Sequence, residues 1–470
     1  MTNTNSPTHR LAPGPFDKNF MAGTRIIATK GRLGNGKSLN RRADAGPRGC
    51  TVRLSGPAKR IVRYDQPIAA LDLTILCSRF RPEGYGGVEE RLWRTTQALA
   101  RRGVGVQVLT ENRVNAPESE TMAPGLTVRR LPPFDAGRFW RWYYAAEAYY
   151  WNRAVSALAT GEITAVADPA MALGALLARP RRLIAFNPAA CAAGMLHIWT
   201  QRPDVDSMKV PRHLVWIDRL AYKYSDVVIV SSENVKRQFA RFYGGGAPVH
   251  VLPYVADPPE KPSGRALARA RFGIDAQAFC VGFAGRLDRC KDVPFLLRAF
   301  REMGPSSADR LLVVGTGPDE ERLRRIAAEL ALDRHIVWAG RMESPPNEAY
   351  AAMDVLVLPS VYEAFGLVLV EAMAAGIPVI GRADDGQTVF TASAELVKPE
   401  CGFVVEANDP GELTGILDTL RNHPERAAQL GRNARVVALQ SSWDDYARAY
   451  LELLGGASQE WHAAARVTKA

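Results

Sequence analysis

The chain has 470 residues, of which 47% are hydrophobic and 23% charged, which is ordinary for a globular protein and long enough for two domains. Its net charge of +11 lies almost entirely in residues 1–67, which hold thirteen Lys or Arg against three Asp or Glu, so the remaining chain is nearly neutral. These values argue against a nucleic-acid-binding surface in the body of the protein, and no apolar run approaches the roughly eighteen residues of a membrane span.

The basic N-terminal segment, residues 1–67, is predicted to be a disordered extension. Contact with an anionic membrane surface or RNA stays open for this tail, but no specific nucleic-acid partner is expected. Residues 31–38 match the phosphate-loop pattern, but the polar, Gly- and Pro-broken sequence after them does not predict the required helix. A phosphate-loop enzyme would lose nucleotide binding on truncation of the tail. Because the first thirty residues lack an apolar signal-peptide core, the expected compartment is the cytoplasm, with peripheral contact at the inner membrane face left open.

Folded structure is predicted to begin near Leu71 with a strand, a glycine-rich loop and a helix. The run LDLTILCS is typical of a buried strand, and the loop that follows contains Gly86 and Gly87. A helix over residues 88–102 and a second strand complete a unit of a parallel α/β sheet, in which ligands bind beyond the carboxyl ends of the strands. The loop lacks the dinucleotide spacing G-x-G-x-x-G, so a nicotinamide cofactor is not expected.

Residues 139–153 form the densest aromatic stretch, with eight Phe, Trp or Tyr in fifteen positions. Such a segment suits stacking on an acceptor sugar or contact with a lipid headgroup boundary, and equally suits packing in a core or cleft wall. Further along, Asp204 and Asp206 match the D-x-D of metal-dependent transferases, but they lie in a polar, Pro-flanked loop instead of at a strand end. The six cysteines show no C-x-x-C spacing, so no zinc site is expected.

A second set of strand and loop signals begins at residue 280. The buried strand Cys280–Gly285 is followed directly by Arg286 and, five residues later, Lys291. Arg offers a planar fork of donors and Lys a point charge, and both suit the oxygens of a diphosphate. The alternative is that both are solvated surface cations.

Residues 351–380 predict a strand, a loop, a helix and a second strand. The free amides of Gly366, Leu367 and Val368 open the helix and suit an anion. Glu363 in the loop and Glu371 in the helix are eight residues apart and are expected to face one pocket, where carboxylates accept hydrogen bonds from hydroxyl groups. The pattern indicates a ligand that is part phosphate and part sugar. The alternative is an ordinary strand-helix-strand unit with two solvated glutamates.

The string EAFGLVLVEAMAAGIPVI, residues 363–380, resembles the E-x7-E signature of the retaining GT-B glycosyltransferases of glycosyltransferase family 4. The resemblance covers about 390 residues and is strongest over 280–380. It implies an α/β fold of GT-B type, with two Rossmann-like domains whose parallel sheets face each other across a cleft. The implied parts after the tail are an acceptor-side domain (68–253), a nucleotide-sugar-binding domain (254–440), a helix that crosses back to the first domain (441–456) and a C-terminal tail (457–470).

The resemblance also implies the reaction, which is transfer of a sugar from a UDP- or GDP-sugar to a saccharide or lipid-linked acceptor with retention of configuration, in polysaccharide or glycan biosynthesis. The nucleotide sugar is a substrate, so no cofactor is expected. No metal ion is expected either. Glu363 is then the catalytic carboxylate that holds the donor sugar, and Glu371 contacts the ribose. The implied remaining donor-binding residues are Arg286, Lys291, Gly366, Leu367 and Val368 at the diphosphate, Gly86 and Gly87 in the first loop, Arg341 beside the base, and Asn187.

The chain departs from the family pattern at three places, and the first two of them, at Asn187 and residues 384–387, motivate a second hypothesis. Many relatives have a histidine where Asn187 stands, residues 384–387 read DDGQ instead of G-G-x-x-E, and Tyr254 interrupts the usual linker sequence. Asn cannot titrate near neutral pH, so a role that needs an imidazole is not available there. His197, ten residues further on, is expected to be structural, and the alternative is that it substitutes for the relatives' histidine. The alternative function is a catalytically silent GT-B protein that binds nucleotide sugar within a glycan-assembly complex.

Overall fold

The computed structural model describes three short N-terminal strands and most of the chain from residue 73. The described ranges are 73–82, 86–137, 143–180, 182–205, 210–259, 264–342, 345–406 and 408–467. The three strands, β1 (Arg25–Ile26), β2 (Val52–Ser55) and β3 (Ile61–Val62), pair antiparallel. The phosphate-loop-like residues 31–38, the order of the rest of the tail, and Asp206 lie outside the described residues.

By its internal contacts the chain divides into two units, residues 1–67 with 134–146 and residues 68–133 with 147–470. The second unit contains two largely parallel sheets, as the sequence predicts. Each of these sheets, with the helices that cover it, is called a half of the protein below. None of the described helices combines the length and apolar composition that a bilayer span requires.

The first sheet has eight strands in the order β11-β10-β9-β8-β4-β5-β7-β6, and only β6 runs antiparallel to its neighbour. Its strands are β4 (Leu73–Leu76), β5 (Val106–Glu111), β6 (Ser119–Ala123), β7 (Leu126–Leu131), β8 (Ile163–Val166), β9 (Leu183–Phe186), β10 (Val227–Val230) and β11 (Val249–Val251). The accompanying helices are α1 (Gly87–Arg101), α2 (Tyr143–Leu158), α3 (Pro169–Leu176), α4 (Ala192–Gln201), α5 (Arg212–Tyr224) and α6 (Glu233–Tyr243). The central strands are buried along their whole length, as expected for a parallel sheet covered on both faces.

The second sheet has six parallel strands in the order β14-β13-β12-β15-β17-β19, beside a two-stranded sheet of β16 and β18. The strands are β12 (Cys280–Ala284), β13 (Arg310–Val314), β14 (Ile336–Gly340), β15 (Val355–Val357), β16 (Tyr362–Glu363), β17 (Val379–Arg382), β18 (Phe390–Thr391) and β19 (Gly402–Val405). The helices are α7 (Arg265–Arg271), α8 (Val293–Glu302), α9 (Glu320–Glu329), α10 (Asn347–Ala352), α11 (Leu367–Ala374), α12 (Ser393–Leu396), α13 (Pro410–Asn422) and α14 (Pro424–Ala438). The strand order reverses between β12 and β15, which is where an open α/β sheet places its ligand.

The last helix, α15 (Trp443–Val467), packs on the first sheet instead of the second. Its residues Trp443, Tyr446 and Tyr450 join the apolar cluster of that half. The helix does not end near residue 456, where the sequence reading placed its end, but continues for eleven residues. Gly455 and Gly456 do not stop it, since a glycine inside a helix costs only about 1 kcal/mol and the helix on either side tolerates that cost.

Candidate functional site

The loop after β12 carries the two predicted phosphate-binding cations. It passes close to the loop after β13, because a Cβ at Gly315 would lie 1.9 Å from the Gly285 carbonyl oxygen. Arg286 follows directly, and its side chain is 62% exposed, with the nearest carboxylate, Asp288, at 3.8 Å. This guanidinium is therefore available to an anion that enters from solvent.

Lys291 closes a short 3-10 turn and pairs with Glu363. The Lys291 Nζ atom lies 2.5 Å from Glu363 Oε2, and the Ser360 hydroxyl donates to the same oxygen at 3.3 Å. Burial acts to lower the pKa of Lys291, but the adjacent Glu363 carboxylate outweighs it and holds this pKa above its ordinary value. The ammonium therefore stays charged, and the pair places a fixed positive charge beside the predicted catalytic carboxylate.

Helix α11 opens at Gly366, which adopts a left-handed conformation with φ of 97°. The first backbone hydrogen bond of the turn runs from the Leu369 amide to the Gly366 carbonyl at 2.9 Å. Helix geometry leaves the first amides of such a turn directed outward, where they favour an anion. Leu367 and Val368 are half-buried and lie shortly after the loop that carries Glu363.

We expect Gly366→Ala to weaken nucleoside diphosphate binding and to lower stability. A left-handed conformation costs a residue with a Cβ about 1 kcal/mol or more, and the new Cβ would lie 3.2 Å from the Leu369 Cδ1 atom. Relief of that strain would turn the amides away from the anion. Isothermal titration with UDP and thermal unfolding measure both effects, and Gly456→Ala in α15 is the control, because its added Cβ meets nothing within 4 Å. Equal affinities in both variants would contradict this role of Gly366.

Glu371 lies one helical turn deeper and borders a cavity of about 340 Å³. Its side chain accepts a hydrogen bond from the Tyr350 hydroxyl at 2.9 Å, and burial raises its pKa to about 7. Residues of both halves line the same cavity, among them Arg81, Glu90, Trp93, Arg94, Asp257, Asn347 and Leu367. The cavity therefore combines a buried acceptor, an indole and two arginine side chains beside the first turn of α11.

We expect Glu371→Gln to stabilise the free protein above pH 7 and to weaken its binding of nucleotide. The folded chain keeps this proton up to about pH 7, whereas the unfolded chain releases it near its ordinary value of 4.5, so the unfolding free energy falls as the pH rises through this window. Removing the buried charge should raise stability at pH 8 by roughly 2 kcal/mol. Denaturant unfolding at pH 5 and pH 8, with UDP titration, tests both; identical pH slopes in parent and variant would refute the assignment.

The two glutamates that the spacing places in one pocket have different partners in the structure, Lys291 for Glu363 and Tyr350 for Glu371. Glu371 lines the cavity, but Glu363 is not among its lining residues and instead lies on the Lys291 side of α11. Glu363 precedes the first turn of α11 and Glu371 is the fifth residue of that helix. That both carboxylates face one pocket stays a prediction.

The remaining predicted donor residues lie at different places. Gly86 caps α1 and Gly87 begins it, both exposed, with open space around a Cβ at Gly87. Arg341 is exposed at the end of β14. Asn187 is only 7% exposed, and its Oδ1 accepts a hydrogen bond from the Tyr450 hydroxyl at 3.3 Å. Its side chain therefore contacts α15, the helix that crosses back to the first sheet.

The other sequence signals have structural explanations. Asp204 forms a two-contact ion pair with Arg202, and within the described ranges no three His, Cys, Asp or Glu side chains cluster as metal ligands. His197 stacks on Phe390 at 5.8 Å between ring centroids, in agreement with a structural role. In the aromatic stretch, Trp151 is fully buried while Tyr149 is 55% exposed.

Sequence reasoning missed two polar partners of the glutamates, Tyr350 and Ser360. Tyr350 lies twenty-one residues before Glu371 in another helix, so no local periodicity connects them. Ser360 is closer, three residues before Glu363, and a polar residue shortly after a buried strand was the available signal.

Two family models match the chain, one in each half. The model described as "Glycosyltransferase Family 4" matches residues 85–258, and "Glycosyl transferases group 1" matches residues 265–437. Among curated proteins, the D-inositol 3-phosphate glycosyltransferase of Acidothermus cellulolyticus is 28% identical over 81% of this chain and 88% of its own length. The enzyme of the same name from Nocardia farcinica is 27% identical over 87% of this chain and 94% of its own length.

Solved structures show the same architecture. Sucrose-phosphate synthase from Thermosynechococcus elongatus superposes with a TM-score of 0.71 at 21% identity, covering 84% of this chain and all of that one. Anabaena HepE in complex with UDP and glucose gives a TM-score of 0.63 at 19% identity, covering 82% of this chain and 99% of that one. The predicted GT-B class, two Rossmann-like domains with parallel sheets, is confirmed.

Proposed function

The chain belongs to the glycosyltransferases of family 4, and on that premise we propose that it transfers a sugar, with retention of configuration, from a nucleoside diphosphate sugar to a saccharide or lipid-linked acceptor. The observation that supports this most is the Lys291–Glu363 pair beside the first turn of α11. A carboxylate, a fixed cation and outward amides are the groups that a sugar donor with a diphosphate leaving group requires.

The leaving diphosphate is stabilised by positive charge that the protein supplies. Arg286 is exposed beside the strand end and reaches an entering phosphate, while Lys291 is held in place by Glu363. Together with the amides of residues 366–368, these groups take up the charge that develops as the glycosidic bond breaks. We propose that this chemistry proceeds without a metal ion.

The sugar end of the donor then lies toward Glu363 and the nucleoside end toward Glu371. Glu363 accepts hydrogen bonds from sugar hydroxyls and stabilises positive charge at the anomeric carbon in an oxocarbenium-like transition state. The Glu371 cavity takes the ribose and base, with Arg341 and the first-loop glycines as further donor contacts. We propose the departing phosphate as the base for the acceptor hydroxyl, and polysaccharide or glycan assembly in the cytoplasm, at the inner membrane face for a lipid-linked acceptor, as the setting.

The second candidate is a silent GT-B binding protein. The observation that favours it is the hydrogen bond from Tyr450 to Asn187. At the position where many relatives have a histidine, this side chain therefore contacts α15. The retained Lys291–Glu363 pair favours the enzyme.

The deciding experiment is calorimetric titration of the purified chain, without metal, against UDP, GDP, ADP and their sugar conjugates, followed by a search for donor turnover. Binding of one nucleotide with turnover of its sugar conjugate supports the enzyme. Binding without turnover of any conjugate supports the silent protein, and the absence of binding, even with magnesium added, would refute both.

A further inference from the structure

The residue before Glu363, Tyr362, is anchored to the other half of the protein. Its side chain is 6% exposed, and its hydroxyl lies 3.1 Å from Gln238 Oε1, to which it donates, and 3.1 Å from the Cys191 amide, from which it accepts. Cys191 precedes α4 and Gln238 lies in α6, so both partners belong to the first sheet's half. Tyr362 therefore connects the strand that carries Glu363 to the opposite side of the cleft.

The contact continues as a chain of buried amides. Gln238 Nε2 donates to Asn234 Oδ1 at 2.5 Å, and Asn234 Nδ2 donates to Asp384. Gln238 and Asn234 are 4% and 2% exposed, so the hydrogen bonds that run from Tyr362 to Asn234 are shielded from water, whereas the contact with Asp384 is partly buried. Gly194 leaves the space that this path needs, because a Cβ there would lie 2.0 Å from Gln238 Oε1.

Asp384 closes the path in the segment 384–387, which departs from the family pattern. Its carboxylate also lies 3.4 Å from the Arg237 guanidinium of α6 and accepts from the Gly386 amide at 2.7 Å. Nearby, the Glu395 carboxylate accepts a hydrogen bond from the backbone amide of Asn234 at 2.6 Å. These carboxylates contact α6, so the departing segment serves contacts between the halves.

The strand that carries Glu363 needs such support. β16 has two residues and pairs only with two-residue β18 among the described strands, and two-stranded sheets of this size are marginal alone. Apolar packing of Val361 and Phe390 against Ile198 and Trp199 places the strand, but packing does not fix its rotation. A buried directional hydrogen bond from the adjacent residue does.

We propose that Tyr362 is a positioning residue for Glu363, and that the chain Tyr362, Gln238, Asn234 and Asp384 holds the donor-sugar carboxylate in place when the two halves are together. This inference rests on the proposed function. It assigns to the segment 384–387 a positioning role, carried by contacts across the cleft. Donor binding and alignment of Glu363 are then coupled through one buried path.

The test compares Tyr362→Phe with Tyr243→Phe. Tyr243 is also buried, also accepts from a backbone amide, and donates to Asp218 at 2.6 Å, but both of these partners lie in the first sheet's half, so these hydrogen bonds do not join the two halves. Both variants lose one buried phenol, so both should lose about 1 kcal/mol or more of stability. Only Tyr362→Phe should lower kcat, by about tenfold, and abolish the affinity that UDP-glucose or GDP-mannose gains over the bare nucleotide.

Backbone hydrogen exchange over residues 361–364 provides a readout that does not need activity. We expect these amides to exchange faster than in the parent in Tyr362→Phe and in Asp384→Ala, and at the parent's rate in Tyr243→Phe. Asp384→Ala carries the test if Tyr362→Phe does not fold, because Asp384 lies at the other end of the path. Exchange and kcat equal to those of the Tyr243→Phe control would overturn the positioning role, whereas a parent without any nucleotide-sugar binding would instead refute the proposed function.

Discussion

Replacing Glu363 by Gln is expected to reduce sugar transfer about 1,000-fold while nucleotide binding is retained. The amide keeps the shape of the side chain but loses the negative charge that stabilises the anomeric carbon. The substitution also removes the charged partner of Lys291, whose Nζ lies 2.5 Å from Glu363 Oε2, and leaves that ammonium free for the diphosphate. UDP or GDP affinity should therefore be unchanged or tighter, and the loss should appear in kcat.

Glu320→Gln is the matched control, because Glu320 pairs with Arg324 at 2.8 Å on α9 and neither residue belongs to the site. That variant loses an ion pair of the same type and should keep full activity. Parallel rate measurements and titrations distinguish the two. An active Glu363→Gln enzyme would contradict the catalytic role of this carboxylate.

The double variant Arg286→Ala/Lys291→Ala is expected to lose most nucleotide affinity, about 100-fold or more, since charge-assisted hydrogen bonds to phosphate are worth roughly 1.5–3 kcal/mol each. Removing Lys291 alone leaves Glu363 without its cation, and the carboxylate then repels the diphosphate. Lys291→Ala should therefore cost more affinity than Arg286→Ala. Calorimetric titration of the parent, both single variants and the double variant measures this order.

Arg289→Ala is the control for that series. Arg289 lies in the same 3-10 turn, two residues before Lys291, and its guanidinium faces Asp319 at 3.7 Å. The Arg289→Ala variant loses one positive charge from the same loop as Lys291→Ala does, but it keeps every predicted phosphate contact. If Arg289→Ala weakens binding as much as Lys291→Ala, the effect comes from general charge and the assignment is wrong.

Much of the fold was predictable from local sequence. Short apolar runs, such as residues 280–284 and 355–357, are strands, and each is followed by a loop and an amphipathic or buried helix. Residues placed directly after such strands, including Arg286, lie at the ligand edge of the sheet, because parallel strands share the direction of their carboxyl ends. The pairing of Lys291 with a carboxylate seventy-two residues away was consistent with this placement but not implied by it.

The sequence by itself determined the architecture and singled out Arg286, Lys291 and the two glutamates as predicted site residues, because each depends on residues close together in the chain. The tertiary structure decided what those glutamates contact, since Lys291 and Tyr350 come from other segments of the chain. It also decided that Asn187 contacts α15 and that Asp384 contacts α6, across 263 and 150 residues of chain. Contacts between such distant segments follow from how the packed halves meet, and periodicity and spacing carry no information about that.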